Sequence, residues 1–453
     1  MLNASPSARE RTDRATLLRV IYDVLWHAAV PFLPLRLWWR GRKEPGYRER
    51  IAERFGRYDI GAAPPVIWVH AVSLGETNAA RPLVARMRSR FPDATILLTH
   101  MTATGRAAGK LIADARTLQA WLPYDVPAFT RAFLARFRPV AGVLLETELW
   151  PNLIESARAA RVPLYLVNAR LSRRSAARYM RIAPLARRAF HGLAGIAAQT
   201  EADAQRIAMF SAADPVVTGN LKFDVAVSPD ALALGRSLRE RFGATRPVWL
   251  FASSREREET LVLDAWRKLA HSDALLVIVP RHPQRFEEVA QLLARRGIAF
   301  VRRSDARPVT HDVQVVLGDS IGEMPAYCAA ADVVLMGGSL LPLGGQNLIE
   351  PIAVGRPTVV GPHMFNFAEA TASAIAAGAA LAVHDADQAV HAVVSILDDA
   401  ARRSDMQAAA IAFCDAHRGA ADRLWTWLAP QIERAMGEIT PRDGGSSPRD
   451  PCR

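Results

Sequence analysis

The stretch VIWVHAVSLGETNAARPLVARMRSRFPDATILLTH, residues 66–100, decides the fold of this chain. It holds a continuous apolar run at 66–72, a helical pattern at 79–90 and a second apolar run at 94–100. Short, continuous apolar runs are typical of strands buried on both faces, and a helix between two of them predicts a parallel pair. The stretch is therefore expected to form one strand–helix–strand unit of a doubly wound sheet.

The same alternation continues along most of the chain. The further apolar runs that predict buried strands lie at residues 141–145, 163–167, 192–198, 248–252, 274–279, 313–317, 333–336 and 357–360. A charged connector with some helix, at 225–245, separates the two sets of strands. We therefore expect an α/β protein with two doubly wound, Rossmann-like domains, and a ligand-binding cleft between them at the carboxyl ends of both sheets.

Composition excludes several classes of protein. Of the 453 residues, 50% are hydrophobic and 23% are charged, which excludes a disordered or fibrous chain. The three cysteines are too few for a disulfide framework and favour a reducing compartment. The formal net charge of +12 is compatible with nucleic acid, with anionic lipid or with a phosphorylated substrate as the partner.

The N-terminal region combines an apolar stretch with a basic one. Residues 17–39 are strongly apolar and include three tryptophans, and arginines cluster over residues 36–50. The part without charge, 24–35, is shorter than the roughly 20 residues that span a bilayer, and Pro31 and Pro34 are expected to break the helix. Tryptophans beside a basic cluster favour a membrane-surface anchor. The alternative is a core helix followed by a solvated basic loop.

These patterns divide the chain into five segments. They are an N-terminal membrane-associated segment at 1–60, a first α/β domain at 61–224, a linker at 225–246, a second α/β domain with C-terminal helices at 247–438, and a tail at 439–453 that is expected to be disordered.

The turn after the first strand carries a candidate general base. Ser73 and Gly75 make a small turn that would let a ligand approach the start of a helix, and Glu76 lies at that start. A carboxylate there can accept a proton from a hydroxyl nucleophile. The turn by itself favours the alternative, in which Glu76 caps the helix.

Polar groups also follow the next central strands of the first half. Glu146, Glu148 and Trp150 come after the run at 141–145, where they suit a hydroxyl-rich sugar or, alternatively, belong to a helix start that contains Pro151. Arg170 begins an arginine-rich stretch that could bind phosphate or form a solvated helix face.

In the second half, cationic and glycine-containing loops follow the strands. Arg281 and His282 lie between two prolines at a strand end, where a forked cation could meet a carboxylate or phosphate. Gly322 and Met324 stand at the start of a predicted helix, a potential anion site.

The loop at residues 337–351 has two glycine pairs and leads into a helix that contains Glu350. Its backbone amides could hold a nucleotide phosphate while Glu350 accepts the ribose hydroxyls. It has neither the ending of a Walker loop nor the glycine spacing of a dinucleotide fingerprint. No metal-ligand spacing occurs in the sequence, so we expect metal-independent nucleotide-sugar chemistry with no cofactor.

Taken in order, these motifs resemble those of the Kdo transferases of Gram-negative bacteria, which act in lipopolysaccharide core assembly with 3-deoxy-D-manno-oct-2-ulosonic acid (Kdo). The resemblance extends from about residue 17 to residue 436. The segments that carry it are Trp-Arg-Gly-Arg-Lys at 39–43, Ser-Leu-Gly-Glu at 73–76, Thr-Glu-Leu-Trp-Pro-Asn at 147–152, Asn-Ala-Arg-Leu-Ser at 168–172, Pro-Arg-His-Pro at 280–283, Gly-Asp-Ser-Ile-Gly-Glu-Met at 318–324, the loop at 337–351, and Gly-Pro-His-Met-Phe-Asn-Phe at 361–367.

The resemblance implies a GT-B glycosyltransferase that binds a lipid A precursor (lipid IVA) in its first domain and CMP-Kdo in its second. By similarity, Glu76 is the expected general base that deprotonates the acceptor hydroxyl, with inversion and without a metal ion. The residues expected on the acceptor side are Ser73, Gly75, Glu148 and Arg170.

The expected CMP-Kdo contacts lie in the second domain, with Glu350 on the ribose. They are Arg281, His282, Gly322, Met324, Gly338, Ser339, Asn347 and Glu350. The family also places its N-terminal segment on the cytoplasmic face of the inner membrane, as a peripheral or monotopic anchor.

The chain departs from the family pattern at two places. The family usually has Ser-Thr-His-x-Gly-Glu after the first strand of the second domain, whereas here Arg255 and Arg257 replace the His and the Gly. The family usually has His before the Asn of the glycine loop, whereas here that residue is Gln346. Both changes keep the capacity for hydrogen bonding and leave the overall resemblance in place.

Three alternatives stay open from the sequence. Two are other GT-B enzymes that use a UDP-sugar, namely a lipid-linked transferase and a nucleotide-sugar epimerase. The third is a basic nucleic-acid-binding protein, which is disfavoured because the sequence lacks the aromatic-basic patterns of such proteins.

Overall fold

The computed structural model describes residues 8–42, 44–224, 227–269, 273–305 and 307–437. The chain forms two compact units. The first runs to Asp224 and resumes at Gly419, and the second lies between them. The tail predicted at 439–453 lies outside the described residues.

The helices and strands follow in chain order. The first unit contains α1 (Ala8–Ala29), α2 (Leu33–Arg40), β1 (Val66–His70), α3 (Leu74–Arg90), β2 (Thr95–His100), α4 (Ala103–Ile112), β3 (Thr117–Trp121), α5 (Pro127–Phe137), β4 (Ala141–Leu145), α6 (Pro151–Ala159), β5 (Leu164–Ala169), α7 (Arg173–Arg181), α8 (Ala183–His191), β6 (Gly195–Ala198), α9 (Glu201–Ala208) and β7 (Val216–Val217). The second unit contains α10 (Pro229–Phe242), β8 (Val248–Ser254), α11 (Glu258–Lys268), β9 (Leu275–Pro280), α12 (Phe286–Arg295), β10 (Phe300–Arg302), β11 (Val315–Leu317), α13 (Met324–Ala330), β12 (Val333–Met336), α14 (Ile349–Ala353), β13 (Thr358–Val360), α15 (Ala368–Ala376), β14 (Ala380–Ala382), α16 (Ala386–Asp398) and α17 (Ala400–His417). The last helix, α18 (Ala420–Gly437), belongs to the first unit.

The first unit is built on a parallel sheet whose strand order, within the described ranges, is β3-β2-β1-β4-β5-β6-β7. The side chains of β1 alternate between two buried clusters, with Val66 and Trp68 on one face and Ile67 and Val69 on the other. Helices cover both faces, which confirms the doubly wound prediction. The order reverses between β1 and β4, and ligands bind at the carboxyl ends of strands at such a point.

The second unit repeats this architecture. Its described strands are ordered β10-β11-β9-β8-β12-β13-β14, and all of them pair in parallel. The central strand β8 carries Trp249, whose side chain is buried. The strand order reverses between β8 and its neighbour β12. The loops after β8 and β12 are therefore the expected ligand-binding loops of this unit.

Two of the expected domain boundaries need correction. The segment expected as a linker with some helix at 225–246 does contain a helix, α10, but this helix belongs to the second unit. Gly235 packs so closely on α13 that an added Cβ would lie 2.7 Å from the Cβ of Ala329. The last helix, α18, was expected in the second domain but belongs to the first unit. Its apolar residues Leu424, Leu428 and Ile432 are part of the buried cluster that covers the first sheet.

The N-terminal helices also differ from expectation at the prolines. Instead of breaking, the helical path continues from α1 to α2 through a 3-10 turn at Val30–Phe32. Pro31 and Pro34 each occupy one of the first two positions of a helical segment, where proline is tolerated because no amide donor is needed. The stretch Thr16–Arg40 is long and apolar enough to cross a membrane by length and composition, and 6% of its most apolar window is buried.

Candidate active site

Glu76 lies at the carboxyl end of β1, the central strand of the first sheet. Ser73 is the N-cap of α3, and its hydroxyl donates a hydrogen bond of 2.9 Å to Oε1 of Glu76. The amide of Val72 donates a hydrogen bond of 2.9 Å to Oε2 of the same carboxylate. Both hydrogen bonds come from residues that precede α3, while the capping acceptor of this helix is the Ser73 side chain. The Glu76 carboxylate is thereby held at the sheet edge at which ligands bind in such folds.

The surroundings of the Glu76 carboxyl raise its pKa. Its residue is 8% exposed, and burial, followed by the nearby charge of Glu146, raises its pKa to about 8. Glu148 raises the pKa further, while the hydrogen bonds from Val72 and Ser73 lower it. A carboxyl with a pKa this close to neutrality suits acid–base catalysis.

Two more carboxylates come from the loop between β4 and α6, next to β1. Glu146 has a left-handed backbone, with φ of 62°, and its Oε1 lies 2.6 Å from Nζ of Lys222. Glu148 accepts a hydrogen bond of 2.7 Å from the indole of Trp150, and burial raises its pKa to about 7. Among the described residues, no group of three or more His, Cys, Asp or Glu side chains is arranged to hold a metal ion.

Two buried histidines line the same region, and the sequence reasoning did not single them out. Nε2 of His70 lies 4.0 Å from Oε2 of Glu148, and Nδ1 of His70 is 2.8 Å from the hydroxyl of Thr99. Burial, followed by the charge of His100, lowers the pKa of His70 to about 3, so the ring is neutral near pH 7. Burial likewise lowers the pKa of His100 to about 4. The available signal was a histidine near the end of the apolar run at 66–72 and another as the last residue of the run at 94–100.

The remaining acceptor-side residues occupy the same edge of the first sheet. Gly75 is exposed in the first turn of α3, and Arg170 is half-buried directly after β5, the strand next to β4. The structure thus brings Ser73, Glu76 and Glu148 together, with Gly75 beside them and Arg170 one strand away.

In the second unit, the end of β8 touches the loop after β12. Gly337 stands where an added Cβ would collide with the backbone carbonyl of Ser253, so only glycine fits there. Gly338, with φ of 68°, adopts the left-handed conformation that glycine favours. The glycines of this loop therefore serve the close approach of two backbone segments.

A buried glutamate accepts hydrogen bonds from two backbone amides of the glycine loop. The carboxylate of Glu258 accepts hydrogen bonds from the amides of Gly338 (2.6 Å), Leu340 (3.0 Å) and Arg255 (3.0 Å). Glu258 is 0% exposed. The Gly338 amide is therefore already hydrogen-bonded to a carboxylate of the chain itself, and a CMP-Kdo contact at Gly338 stays a prediction.

Ser339 is also engaged inside the protein. Its hydroxyl donates to the carbonyl of Met336 and accepts a 2.9 Å hydrogen bond from the amide of Gly361, and the residue is 0% exposed. Ser339 thus ties the end of β12 to the end of β13. Its hydroxyl is buried and paired within the protein, and a CMP-Kdo contact at Ser339 stays a prediction.

Three of the expected donor residues do come together. Nε of Arg281 donates a hydrogen bond of 3.1 Å to Oε1 of Gln346, which precedes Asn347. Nδ2 of Asn347 donates a hydrogen bond of 3.2 Å to Oε1 of Glu350, in the first turn of α14. Burial raises the pKa of Glu350, and Asn347 and Arg281 partly oppose that rise. The Gln346 that departs from the family pattern is thus the residue that links Arg281 to this loop.

The surroundings of His282 are positively charged. Burial, followed by the charges of Arg255 and Arg281, lowers the pKa of His282. Gly322 is exposed with φ of 82°, and it lies two residues before Met324, the first residue of α13. The sequence missed Glu258 as a determinant of this site, although its position after a central strand was a usable signal.

A family model described as 3-Deoxy-D-manno-octulosonic-acid transferase (kdotransferase) matches residues 49–225. A 3-deoxy-D-manno-octulosonic acid transferase from Bordetella pertussis is 46% identical over 431 residues, covering 90% of this chain and 99% of the relative. A 3-deoxy-D-manno-octulosonic acid transferase from Haemophilus influenzae is 36% identical over 399 residues, covering 86% of this chain and 93% of the relative.

Among solved structures, the UDP-GlcNAc 2-epimerase from Neisseria meningitidis bound to UDP-GlcNAc superposes with a TM-score of 0.54 at 15% identity. It covers 81% of this chain and 99% of its own. At this identity the likeness concerns the fold alone, and it agrees with the expected GT-B class of two parallel-sheet α/β domains.

Proposed function

Since the chain belongs to the 3-deoxy-D-manno-octulosonic acid transferase family, we propose that it transfers Kdo from CMP-Kdo to a hydroxyl of the lipid A precursor lipid IVA in lipopolysaccharide synthesis. Membership makes the chain a glycosyltransferase. The observation that carries the chemical part of the proposal is the Glu76 carboxyl, buried at the carboxyl end of the central strand with a raised pKa.

In the proposed reaction, Glu76 acts as the general base. Its carboxylate accepts the proton of the acceptor hydroxyl as that oxygen forms a bond to the anomeric carbon of Kdo. The bond from that carbon to the CMP phosphate breaks at the same time, and CMP leaves with the electron pair. Attack from the face opposite the leaving group inverts the anomeric centre. With a pKa of about 8, about a tenth of Glu76 is ionised at pH 7, and that fraction is a stronger base than an ordinary glutamate.

On the acceptor side, Glu148, Ser73, Gly75 and Arg170 have separate tasks in this proposal. Glu148, held by the indole of Trp150, can bind an acceptor hydroxyl. Ser73 holds Glu76, and exposed Gly75 lets the acceptor approach the helix start. Arg170 can bind an acceptor phosphate, as a guanidinium does through paired hydrogen bonds.

On the donor side, we assign CMP-Kdo binding to the residues around Arg281 and Glu350. Arg281 and His282 lie in a positively charged loop that suits the phosphate and the Kdo carboxylate. Glu350, fixed by Asn347, can accept hydrogen bonds from the ribose hydroxyls. The backbone at Gly322 and Met324, at the start of α13, completes this donor set.

The N-terminal helices are proposed to rest on the cytoplasmic face of the inner membrane. One face of α1 and α2 exposes apolar side chains at helical spacing, and arginines follow at the end of α2. The exposed apolar residues are Leu17, Val20, Ile21, Val24, Leu25, Phe32, Leu35, Trp38 and Trp39. An amphipathic surface of this kind, rimmed with cations, fits an anionic lipid interface.

The test is a transfer assay with purified protein, CMP-Kdo and lipid IVA, in the presence of a chelator. We expect Kdo-modified lipid and an equal amount of released CMP, with no need for divalent metal. Release of UDP from a UDP-sugar, with CMP-Kdo inert, would support the alternative GT-B activities instead.

A further inference from the structure

The N-terminal helix α1 does more than expose an apolar face, because its opposite face is hydrogen-bonded into the first unit. The hydroxyl of Tyr22 donates a hydrogen bond of 2.8 Å to Oδ2 of Asp125, in the loop after β3. Oδ1 of Asp23 accepts a hydrogen bond of 2.6 Å from the side-chain amide of Asn152, at the start of α6. The ring of Trp26 packs on Tyr124 with 5.9 Å between ring centroids.

Asp125 supplies a cap that α6 lacks in its own sequence. The N-cap residue of α6, Trp150, makes no side-chain capping hydrogen bond. The amides of Asn152 and Leu153 instead donate to the two carboxylate oxygens of Asp125, at 3.0 Å and 2.8 Å. Asp125 and Asn152 are each 1% exposed, so this cap lies inside the protein. Tyr22 therefore binds the same carboxylate that starts α6.

This junction fixes one end of the loop that carries Glu146 and Glu148. The loop runs from the end of β4 at Leu145 to the start of α6 at Pro151, so the sheet holds one end and the capped helix holds the other. Glu148 is four residues before Asn152. A shift of the α6 start would be transmitted to Glu148 through this short connection, and catalytic groups tolerate little misplacement.

We infer that Tyr22 and Asp23 are positioning residues of the acceptor site, which hold the Asp125–Asn152 junction and thereby the loop that carries Glu148. The inference rests on the proposed function for its assay. It gives α1 two separate tasks on two faces: Val24 and Leu25 face outward, while Tyr22 and Asp23 face the first unit. Membrane binding and turnover should then be separable by substitution.

The experiment uses the full-length protein and measures turnover in detergent micelles together with sedimentation on vesicles of phosphatidylethanolamine and phosphatidylglycerol. Tyr22→Phe removes only the hydroxyl, and Asp23→Leu removes the acceptor of the Asn152 amide. Asp23→Asn is the matched control, because its side-chain oxygen can still accept that hydrogen bond. The pair Val24→Ser and Leu25→Ser serves as the positive control for loss from vesicles.

We expect Tyr22→Phe and Asp23→Leu to lower kcat about tenfold, as for loss of one charge-assisted hydrogen bond at a positioning contact. The KM for CMP-Kdo and the vesicle-bound fraction should stay at the wild-type values, and Asp23→Asn should restore most of the turnover. Wild-type turnover in both Tyr22→Phe and Asp23→Leu would overturn the inference, leaving α1 as an anchor only.

A second measurement separates positioning from a general loss of stability. If the loss of turnover in each variant follows a fall in Tm and disappears when the assay is cooled well below that Tm, the positioning role is contradicted. If the loss persists at low temperature with Tm unchanged, the role is supported. Failure of the wild-type protein to release CMP from CMP-Kdo is a different outcome, which contradicts the proposed function itself.

Discussion

Ser73 and Glu76 bind each other in both directions: the Ser73 hydroxyl donates to Oε1 of Glu76 at 2.9 Å, and the Glu76 amide lies 3.5 Å from Oγ of Ser73. The other carboxylate oxygen accepts from the amide of Val72. The Glu76 side chain thus lies in the first turn of α3 and also at the carboxyl end of β1. Because the hydroxyl of Ser73 can rotate, it can release Oε1 of Glu76 to an acceptor hydroxyl without disturbing the backbone.

Replacing Glu76 tests the proposed base. Glu76→Gln keeps the size of the side chain and its ability to accept the Val72 hydrogen bond, but it cannot take up a proton. We expect turnover to fall about 10²–10⁴-fold, with binding of CMP-Kdo measured by calorimetry unchanged. The control is Asn78→Ala, an exposed position in the same helix. Turnover of Glu76→Gln close to wild type would leave Glu76 with its capping role alone.

The pH dependence of the reaction should report the raised pKa of Glu76. Since only the ionised carboxylate is a base, kcat/KM should rise about tenfold per pH unit and level off near pH 8. Glu146→Gln removes a charge that raises the pKa, so the profile should move to lower pH. Ser73→Ala removes a hydrogen bond that lowers the pKa, so the profile should move to higher pH. Equal profiles for all three proteins would contradict this electrostatic account.

The same shift predicts the sign of a stability effect. Between the ordinary value of 4.5 and the folded value of about 8, the folded protein holds a proton on Glu76 that the unfolded chain has released. The free energy of unfolding should therefore fall as the pH rises through this window. Glu148, with its pKa raised to about 7, acts in the same direction. Denaturant titrations should show a weaker decline in Glu76→Gln than in wild type.

The sequence predicted the central strands of both sheets and missed the edges. The strands that were not predicted are β3, β7, β10 and β14, and each is the edge of its sheet. Edge strands are half-solvated, so their sequences lack the continuous apolar run that marks a strand buried on both faces. In β7 and β10 the structure leaves partly exposed residues such as Val217 and Arg302.

The candidate site was predictable where a motif follows a central strand, as for Glu76, Glu148, Arg281 and Glu350. What the sequence could not predict is which groups bind each other inside the fold. The glycine loop has the composition of a phosphate cradle, yet Glu258, some 80 residues earlier in the chain, satisfies its amides. Such long-range pairing depends on the positions of two neighbouring strands and leaves no local pattern.

Glu258 should therefore control the shape of the donor loop. Glu258→Gln places an amide group among three backbone donors, which leaves donors facing each other in a buried site. We expect a loss of about 2–4 kcal/mol in the free energy of unfolding of the second unit and weaker binding of CMP-Kdo. The matched control is Glu256→Gln, an exposed neighbour paired only with Arg255 by the contacts described. Unchanged stability of Glu258→Gln would show that the loop holds its shape without this carboxylate.

Membrane binding should depend on the apolar face of α1 and α2 and only partly on charge. Val24 and Leu25 are 60% and 63% exposed, and Trp39 at the end of α2 is 63% exposed. Val24→Ser with Leu25→Ser removes apolar area from the lipid-facing stripe, so the fraction bound to anionic vesicles should fall severalfold. Leu111→Ser, which alters a 77% exposed leucine in α4, is the control and should leave binding unchanged.

Raising the salt concentration should weaken wild-type binding without abolishing it, since screening removes the attraction of the arginines for lipid phosphates and leaves the burial of apolar side chains. Complete release of the wild-type protein by salt alone would mean that charge, and not the apolar face, holds the protein on the membrane.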